Sequence, residues 1–200
     1  MSHKHYIKFT CEWDKKALDV PSSTMEELIN YRNKLYQMNL IGAFENGIGF
    51  GNISMRLNEE NVFLITGSAT GNEESISGNH LSLVTNYSIE MNTLWCQGMV
   101  KASSESLSHA ALYETNQEIE AVIHTHHKAF WEANKEVLPT TNPQAEFGTP
   151  EMAKSIQEMA KKAGQKSSGI FIMGGHPEGV LSFGRSLNEA MDILVKELEI

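Results

Sequence analysis

Two histidines two residues apart, His124 and His126, close the apolar run Ala121-Val122-Ile123-His124-Thr125-His126. Side chains at i and i+2 of a strand point to the same face, roughly 6.5 Å apart along the chain, so this pair can converge on one ion. Ser103-Ser104-Glu105 precedes it and Gly174-Gly175-His176 follows it. A catalytic zinc site uses three protein ligands and keeps one position open, and His124, His126 and His176 supply that number. A strand histidine is more often a hydrogen-bonded core residue than a ligand. Here Gly174 and Gly175 let the backbone approach closely beside His176, which favours the metal.

The remaining histidines are weaker candidates. His3 and His5 repeat the spacing on a terminus and receive no metal role. His127 faces away from the pair by strand alternation, and His80 sits in a loop. His109 lies four residues after Glu105 and can meet it on one helix face, orienting the carboxylate. Glu105 itself has two readings: an acid stabilised by a helix N-terminus, or a general acid/base beside the ion. Ser103 and Ser104 add hydroxyls and N–H groups of the kind that bind a phosphate at a helix start.

These residues need elements to hold them. Ser23-Thr24-Met25-Glu26 reads as a capping box. It opens a first helix striped by Met25, Leu28, Ile29, Leu35 and Tyr36, with Gly42 as its stop. Residues 47–54 and Val62–Thr66 read as strands, followed by a Gly/Ser loop through Gly71 and Gly78. Ser103 or Ser104 is expected to cap a helix carrying Leu107, Ala110, Ala111 and Leu112, which leads into the strand Ala121–His126. Pro139 to Pro150 reads as a loop, and Thr149-Pro150 starts a helix that ends at Gly164. Gly169–Met173 is a buried strand running into His176, with Val180–Phe183 as its hairpin partner. Ser186 and Glu189 form a second capping box for the last helix, with Ala190, Met191, Leu194 and Leu198 on one face. The irregular alternation predicts a sheet covered by helices.

Composition narrows the function. The chain has 200 residues and a net charge of −9 from 16 basic and 25 acidic side chains. It suits a single domain, and no basic run favours nucleic acid or an anionic membrane surface. A small molecule or a protein is the expected partner. No secretory h-region or membrane-length apolar run occurs, so a cytoplasmic location is expected. Cys11 and Cys96 match no metal spacing and read as reduced structural thiols.

The same residues, in order, resemble the class II aldolase/adducin superfamily. The likeness is carried by Gly51-Asn52-Ile53-Ser54, Ile65-Thr66 to Thr70-Gly71 and Lys101-Ala102-Ser103-Ser104-Glu105 with His109 and Tyr113. It continues through Ala121–His126, Phe147-Gly148-Thr149-Pro150-Glu151 and His176. The resemblance implies an α/β fold, a three-layer α/β/α single domain around a mostly antiparallel mixed sheet. Residues 21–200 would form it, with 1–20 as an N-terminal extension. It also implies a homotetramer with sites at subunit interfaces. It gives His124, His126 and His176 to one Zn²⁺ or other divalent ion per subunit, and Glu105 the acid/base role. Gly51, Asn52, Thr70, Gly71, Ser103 and Ser104 would cradle a substrate phosphate, with Thr66 and Gly67 competing for the place of Thr70 and Gly71.

The implied activity is a metal-dependent, aldolase-like or epimerase-like lyase on a small, phosphorylated sugar, with an enediolate stabilised by zinc. A dehydratase of the same superfamily and a non-catalytic, adducin-like protein-binding domain are the alternatives. One departure stands out. Sugar-phosphate aldolases of this superfamily use a tyrosine between the paired and the third histidine, and residues 127–175 contain none. Gly175-His176-Pro177 also replaces the usual His-His-Gly. Phe130, Trp131 and Glu146 are candidates to shape the pocket in that segment, with packing as the commoner role of such an aromatic pair.

Overall fold

All six residues of Ala121–His126 are buried, and a strand apolar on both faces needs cover on both sides. The computed structural model describes residues 9–57 and 60–200; His3 and His5 lie outside them. In chain order the elements are β1 (Thr10–Asp14), α1 (Ser22–Gln37), β2 (Gly42–Ala43), β3 (Gly49–Phe50), β4 (Asn52–Arg56), β5 (Phe63–Thr66), β6 (Leu81–Ser88) and β7 (Thr93–Gly98). There follow α2 (Ser106–Thr115), β8 (Ala121–His126), α3 (Lys128–Asn134), α4 (Pro150–Lys162), β9 (Gly169–Ile172), β10 (Gly179–Gly184) and α5 (Leu187–Leu198).

Eight strands form one sheet in the order β1-β7-β6-β5-β4-β8-β10-β9, and β2 pairs with β3 in a separate ribbon. Every pairing in the large sheet is antiparallel except β1 with β7. Alternation along the strands divides the core in two. Val122, Leu181 and Phe183 face Leu112 of α2 and Ile156 of α4. On the other side Ile53, Ile123 and Val180 face Leu28 and Leu35 of α1 and Leu194 of α5. The mixed, mostly antiparallel sheet between two helical layers is the architecture expected.

Several local signals fall differently. Helix α1 begins at Ser22 behind Pro21 and has no side-chain cap, so Ser23 and Glu26 both lie within the helix and form no box. Its end is set by Asn39, in the left-handed region at φ 58°, where a short polar side chain is tolerated; Gly42 belongs to β2. Helix α2 starts after Glu105 without a side-chain cap. Ser103 is used one step earlier, its Oγ accepting the Glu105 N–H at 3.3 Å. Thr149 does cap α4, accepting from Met152 N–H at 3.4 Å with Pro150 in the first turn. Gly164 at φ 84° follows that helix. Ser186 caps α5, but Glu189 turns to the backbone N–H of Arg185 (2.7 Å) and to its guanidinium.

The stretch 1–20, read as an extension, supplies the edge strand β1. Its alternating burial turns Cys11 and Trp13 inward, and Trp13 Nε1 donates to Gly98 O at 2.9 Å. Strands β6 and β7 and helix α3 fall where the sequence reading assigned no element.

Candidate metal centre

Register fixes the histidines. His124 of β8 lies opposite Asn52 of β4 and Leu181 of β10, and His126 lies opposite Gly179. All therefore share the face that packs on α2 and α4. His176 comes from the turn between β9 and β10, and backbone proximity holds that turn in place. A Cβ on Gly175 would lie 1.8 Å from Ala145 O, and one on Gly174 would lie 2.3 Å from Thr141 O. Gly179 leaves room for the rings: its Cβ would meet His176 Cδ2 at 2.9 Å and His124 Cε1 at 3.2 Å.

The three side chains each offer a nitrogen, all within 4.8 Å of one another. His126 Nε2 and His176 Nε2 are 3.2 Å apart. His124 Nδ1 lies 3.2 Å from Val180 O; donation there leaves Nε2 as the free ligand atom, the usual outer contact of a metal-binding histidine. Burial, reinforced by the charges of His176 and His126, holds His124 well below the ordinary imidazole range. Burial also pushes His126 down to about 4. Both rings are neutral at pH 7, the state that binds a cation. Metal–nitrogen bonds of ~2.0–2.1 Å at tetrahedral angles give nitrogen–nitrogen edges of about 3.4 Å, close to the His126–His176 separation. The residues present fit a divalent ion.

Glu105 faces this cluster. It is buried, its Oε1 lies 3.8 Å from His176 Nε2, and its Oε2 accepts from Ser108 Oγ at 3.3 Å. His109 does not orient that carboxylate with its ring. Its Nδ1 bonds Ser54 Oγ at 2.7 Å, and Ser54 Oγ lies 2.7 Å from Tyr113 Oη. The helix carries the ring toward β4, where burial pushes it down to about 3.

A cavity of about 680 Å³ opens over the cluster. Gly51, Asn52, Thr70, Gly71, Ser103 and Ser104 all line it, with Glu105 and the three histidines. Thr66 does not: its Oγ1 accepts the Ile53 N–H at 3.2 Å, bridging β5 to β4. Between the two Thr-Gly pairs, the second is the one in the cavity as a pair. Gly51 adopts φ +76°, and a Cβ on Gly71 would lie 2.4 Å from Gly42 O, so both are places where the backbone leaves no room for a side chain.

The sequence reading missed other residues. Buried Arg32 holds the 70–74 loop from below, donating to Thr70 O at 2.7 Å and to Gly71 O and Glu74 O at 3.3 Å. Desolvation lowers its proton affinity, and no sequence motif marks it. Phe147 stacks on His176 at 4.4 Å, while Phe50 and Phe44 stand 5.2 and 5.6 Å from His126. Glu178 Oε2 lies 3.9 Å from His126 Nδ1. Phe130 and Trp131, candidates for the pocket, pack against the α1/α5 core, and Trp131 Nε1 donates to Met173 O.

The family described as the class II aldolase and adducin N-terminal domain matches residues 26–198. The chain belongs to this family. Among solved structures, an L-fuculose 1-phosphate aldolase is similar at 24% identity and a TM-score of 0.69, covering 90% of this chain and 83% of its own. A sugar-phosphate aldolase from Thermotoga maritima is 19% identical with a TM-score of 0.64, over 88% and 92% of the two chains. An L-fuculose 1-phosphate aldolase from Glaciozyma antarctica is 17% identical with a TM-score of 0.61, over 89% and 72%. No curated protein matches at a significant level. Every candidate site residue lies inside the stretch matched to the class II aldolase and adducin family, whereas β1 lies outside it. Among the described residues no helix is long and apolar enough to cross a membrane.

Proposed function

We propose that this chain is a metal-dependent lyase of the aldolase type acting on a small phosphorylated sugar. The observation that carries the reading is the placement of Glu105 Oε1 3.8 Å from His176 Nε2, on a three-histidine cluster and in one cavity with the hydroxyl-rich loops. His124, His126 and His176 would hold the divalent ion, zinc being the choice that suits three imidazoles. When bound, such an ion supplies a Lewis acid that draws electron density from a carbonyl oxygen.

The chain's own residues do the rest. Asn52, Thr70, Ser103 and Ser104, with the backbone held close by Gly51 and Gly71, bind and orient the anionic end of the substrate. Glu105 takes or returns the proton at the reacting carbon or its hydroxyl. Phe44, Phe50 and Phe147 restrict water around His126 and His176, which strengthens the electrostatics inside. Family membership and the sugar-phosphate aldolases among the structural relatives support a sugar phosphate as substrate. We also assign a homotetramer and a cytoplasmic location; light scattering of the purified protein tests the first.

The absence of tyrosine from residues 127–175 favours a second reading, in which the same site epimerises or dehydrates a sugar phosphate without protonating a departing aldehyde. A non-catalytic, adducin-like role fits poorly with a buried carboxylate aimed at a cluster of three histidines. The test is a panel of ketose and aldose phosphates with zinc-, manganese- and cobalt-loaded protein, scored for aldehyde release, stereochemical inversion and loss of water. Aldehyde release that disappears in Glu105→Gln supports the lyase. Inversion or dehydration selects the second reading, and no turnover with any member overturns both.

A further inference from the structure

The sequence contains two cysteines, and the fold brings them together. Cys11 Sγ and Cys96 Sγ lie 3.4 Å apart across 85 residues of chain. Parallel pairing of β1 with β7 sets Cys11 opposite Leu94 and Cys96 opposite Trp13, so the two are diagonal neighbours on one face. Cys96 is in the core, 1% exposed. Cys11 is half-buried and lines the same cavity as Glu105 and the histidines. One sulfur of a contacting pair is thus open to whatever enters that cavity.

The surroundings prepare the pair for thiol chemistry. The contact with Cys11 draws the Cys96 thiol down to about 6, assisted by a backbone bond at Ala102, by Ser82 and by the charge of Lys101. Cys11 is correspondingly raised. The charge of the pair therefore rests on Cys96, 3.4 Å from the Cys11 sulfur, where it can take the Cys11 proton as Cys11, on the open side, becomes the nucleophile.

We propose that Cys11 and Cys96 are an oxidant-responsive dithiol, in which a hydroperoxide closes a disulfide between β1 and β7 and reshapes the wall of the candidate metal-site cavity. The Cys11 sulfur attacks one peroxide oxygen as its proton passes to the Cys96 thiolate; the O–O bond breaks, giving a sulfenic acid on Cys11 and water once the leaving hydroxide is protonated. The Cys96 sulfur then attacks the sulfenic sulfur, the S–O bond breaks, and a second water leaves. In sum two thiols and one hydrogen peroxide give one disulfide and two waters. The proposal stands on the sulfur contact and the cavity alone and is independent of which reaction the site performs.

Disulfide closure moves the strand. In a parallel pair about 4.8 Å apart with a rise of about 3.3 Å per residue, an offset of two residues puts Cα atoms about 8 Å apart, whereas a disulfide spans at most about 7 Å. Strand β1 is bonded on one side only, so it is the element that yields, and it carries Phe9 and Cys11 of the cavity wall with it.

The test treats the metal-loaded protein with equimolar hydrogen peroxide and follows free thiols, intact mass, disulfide peptide maps and hydrogen exchange in β1 and β7. Joint loss of both thiols, a single cross-linked peptide reversed by a dithiol reductant, and exchange in residues 9–14 altered at least several-fold are expected. Cys96→Ser should stop at a sulfenic acid on Cys11 that dimedone traps, and Cys11→Ser should leave Cys96 at least tenfold slower to react. Sulfinic acid on Cys11 without a cross-link overturns the dithiol. A cross-link that leaves β1 exchange unchanged overturns the reshaping of the cavity.

Discussion

His126 Nε2 stands 3.2 Å from His176 Nε2 although 50 residues separate them. That separation is close to the edge between two ligands of one tetrahedral cation, so an ion bound between them holds β8 and the β9–β10 turn together. The contact therefore ties metal binding to stability. A divalent ion at a hundredfold excess over its Kd should stabilise the fold by about 2.7 kcal/mol, or roughly 5–10 °C in Tm for a chain of this size. Scanning calorimetry with chelator and with added zinc checks this, and an equal shift in His126→Ala and in the wild type would remove the three-histidine assignment.

Glu105→Gln keeps the shape of the side chain and removes its ability to carry a proton. Metal content should stay at one ion per chain while kcat falls by about 10²–10⁴-fold, the range of general acid–base catalysis. Steady-state kinetics beside elemental analysis separate the two quantities. Unaltered kcat would exclude Glu105 as the proton carrier.

Arg32 offers a test away from the metal. Arg32→Met leaves Thr70 O and Gly71 O, both now accepting from the guanidinium, without their donor. A loss of about 2–4 kcal/mol follows from unpaired buried carbonyls, together with weaker binding of inorganic phosphate as the 70–74 loop relaxes. Chemical denaturation and titration calorimetry read the two effects. A destabilised variant with wild-type phosphate affinity would separate this loop from the anion site.

His109 sets a pH dependence. Its folded-state value of about 3 lies below the ordinary 6.5, so between those pH values the unfolded chain binds the extra proton. Its contribution is complete above pH 6.5 and is lost as pH falls toward 3, at about 1.4 kcal/mol per pH unit for one proton. His109→Asn should flatten the stability–pH slope of chelated protein by that amount. Denaturation midpoints at pH 7, 6 and 5 measure it, and parallel curves for the two proteins would contradict it.

The site was more legible in the sequence than the frame around it. His124 and His126 announce their shared face because strand periodicity is two, and His176 stands beside glycines that permit close approach. Arg32 was invisible, because a lone arginine in an amphipathic helix reads as surface until the loop folds over it. The Ser23 box and the Gly42 stop failed for a related reason: Pro21 and Asn39 fix the ends of α1 through backbone angles that outrank side-chain capping. Strand β1 was missed because five residues of alternating burial carry little signal without their partner, which lies about eighty positions later. The contact between Cys11 and Cys96 was hidden by the same separation.

The strand order has a kinetic consequence. Strands β4 to β7 pair with their neighbours in sequence, as do β9 and β10, whereas β8 reaches β10 only across α3, α4 and β9 and reaches β4 only across β5, β6, β7 and α2. Local pairings close early and distant ones late, because loop entropy is lost before the contact returns anything. The two groups meet on β8, where His124 faces Asn52 of β4 on one side and Leu181 of β10 on the other. The ion-binding pocket is thus a seam between two prefabricated halves, and its assembly marks the end of folding, so a chain that can hold the ion has already found its topology.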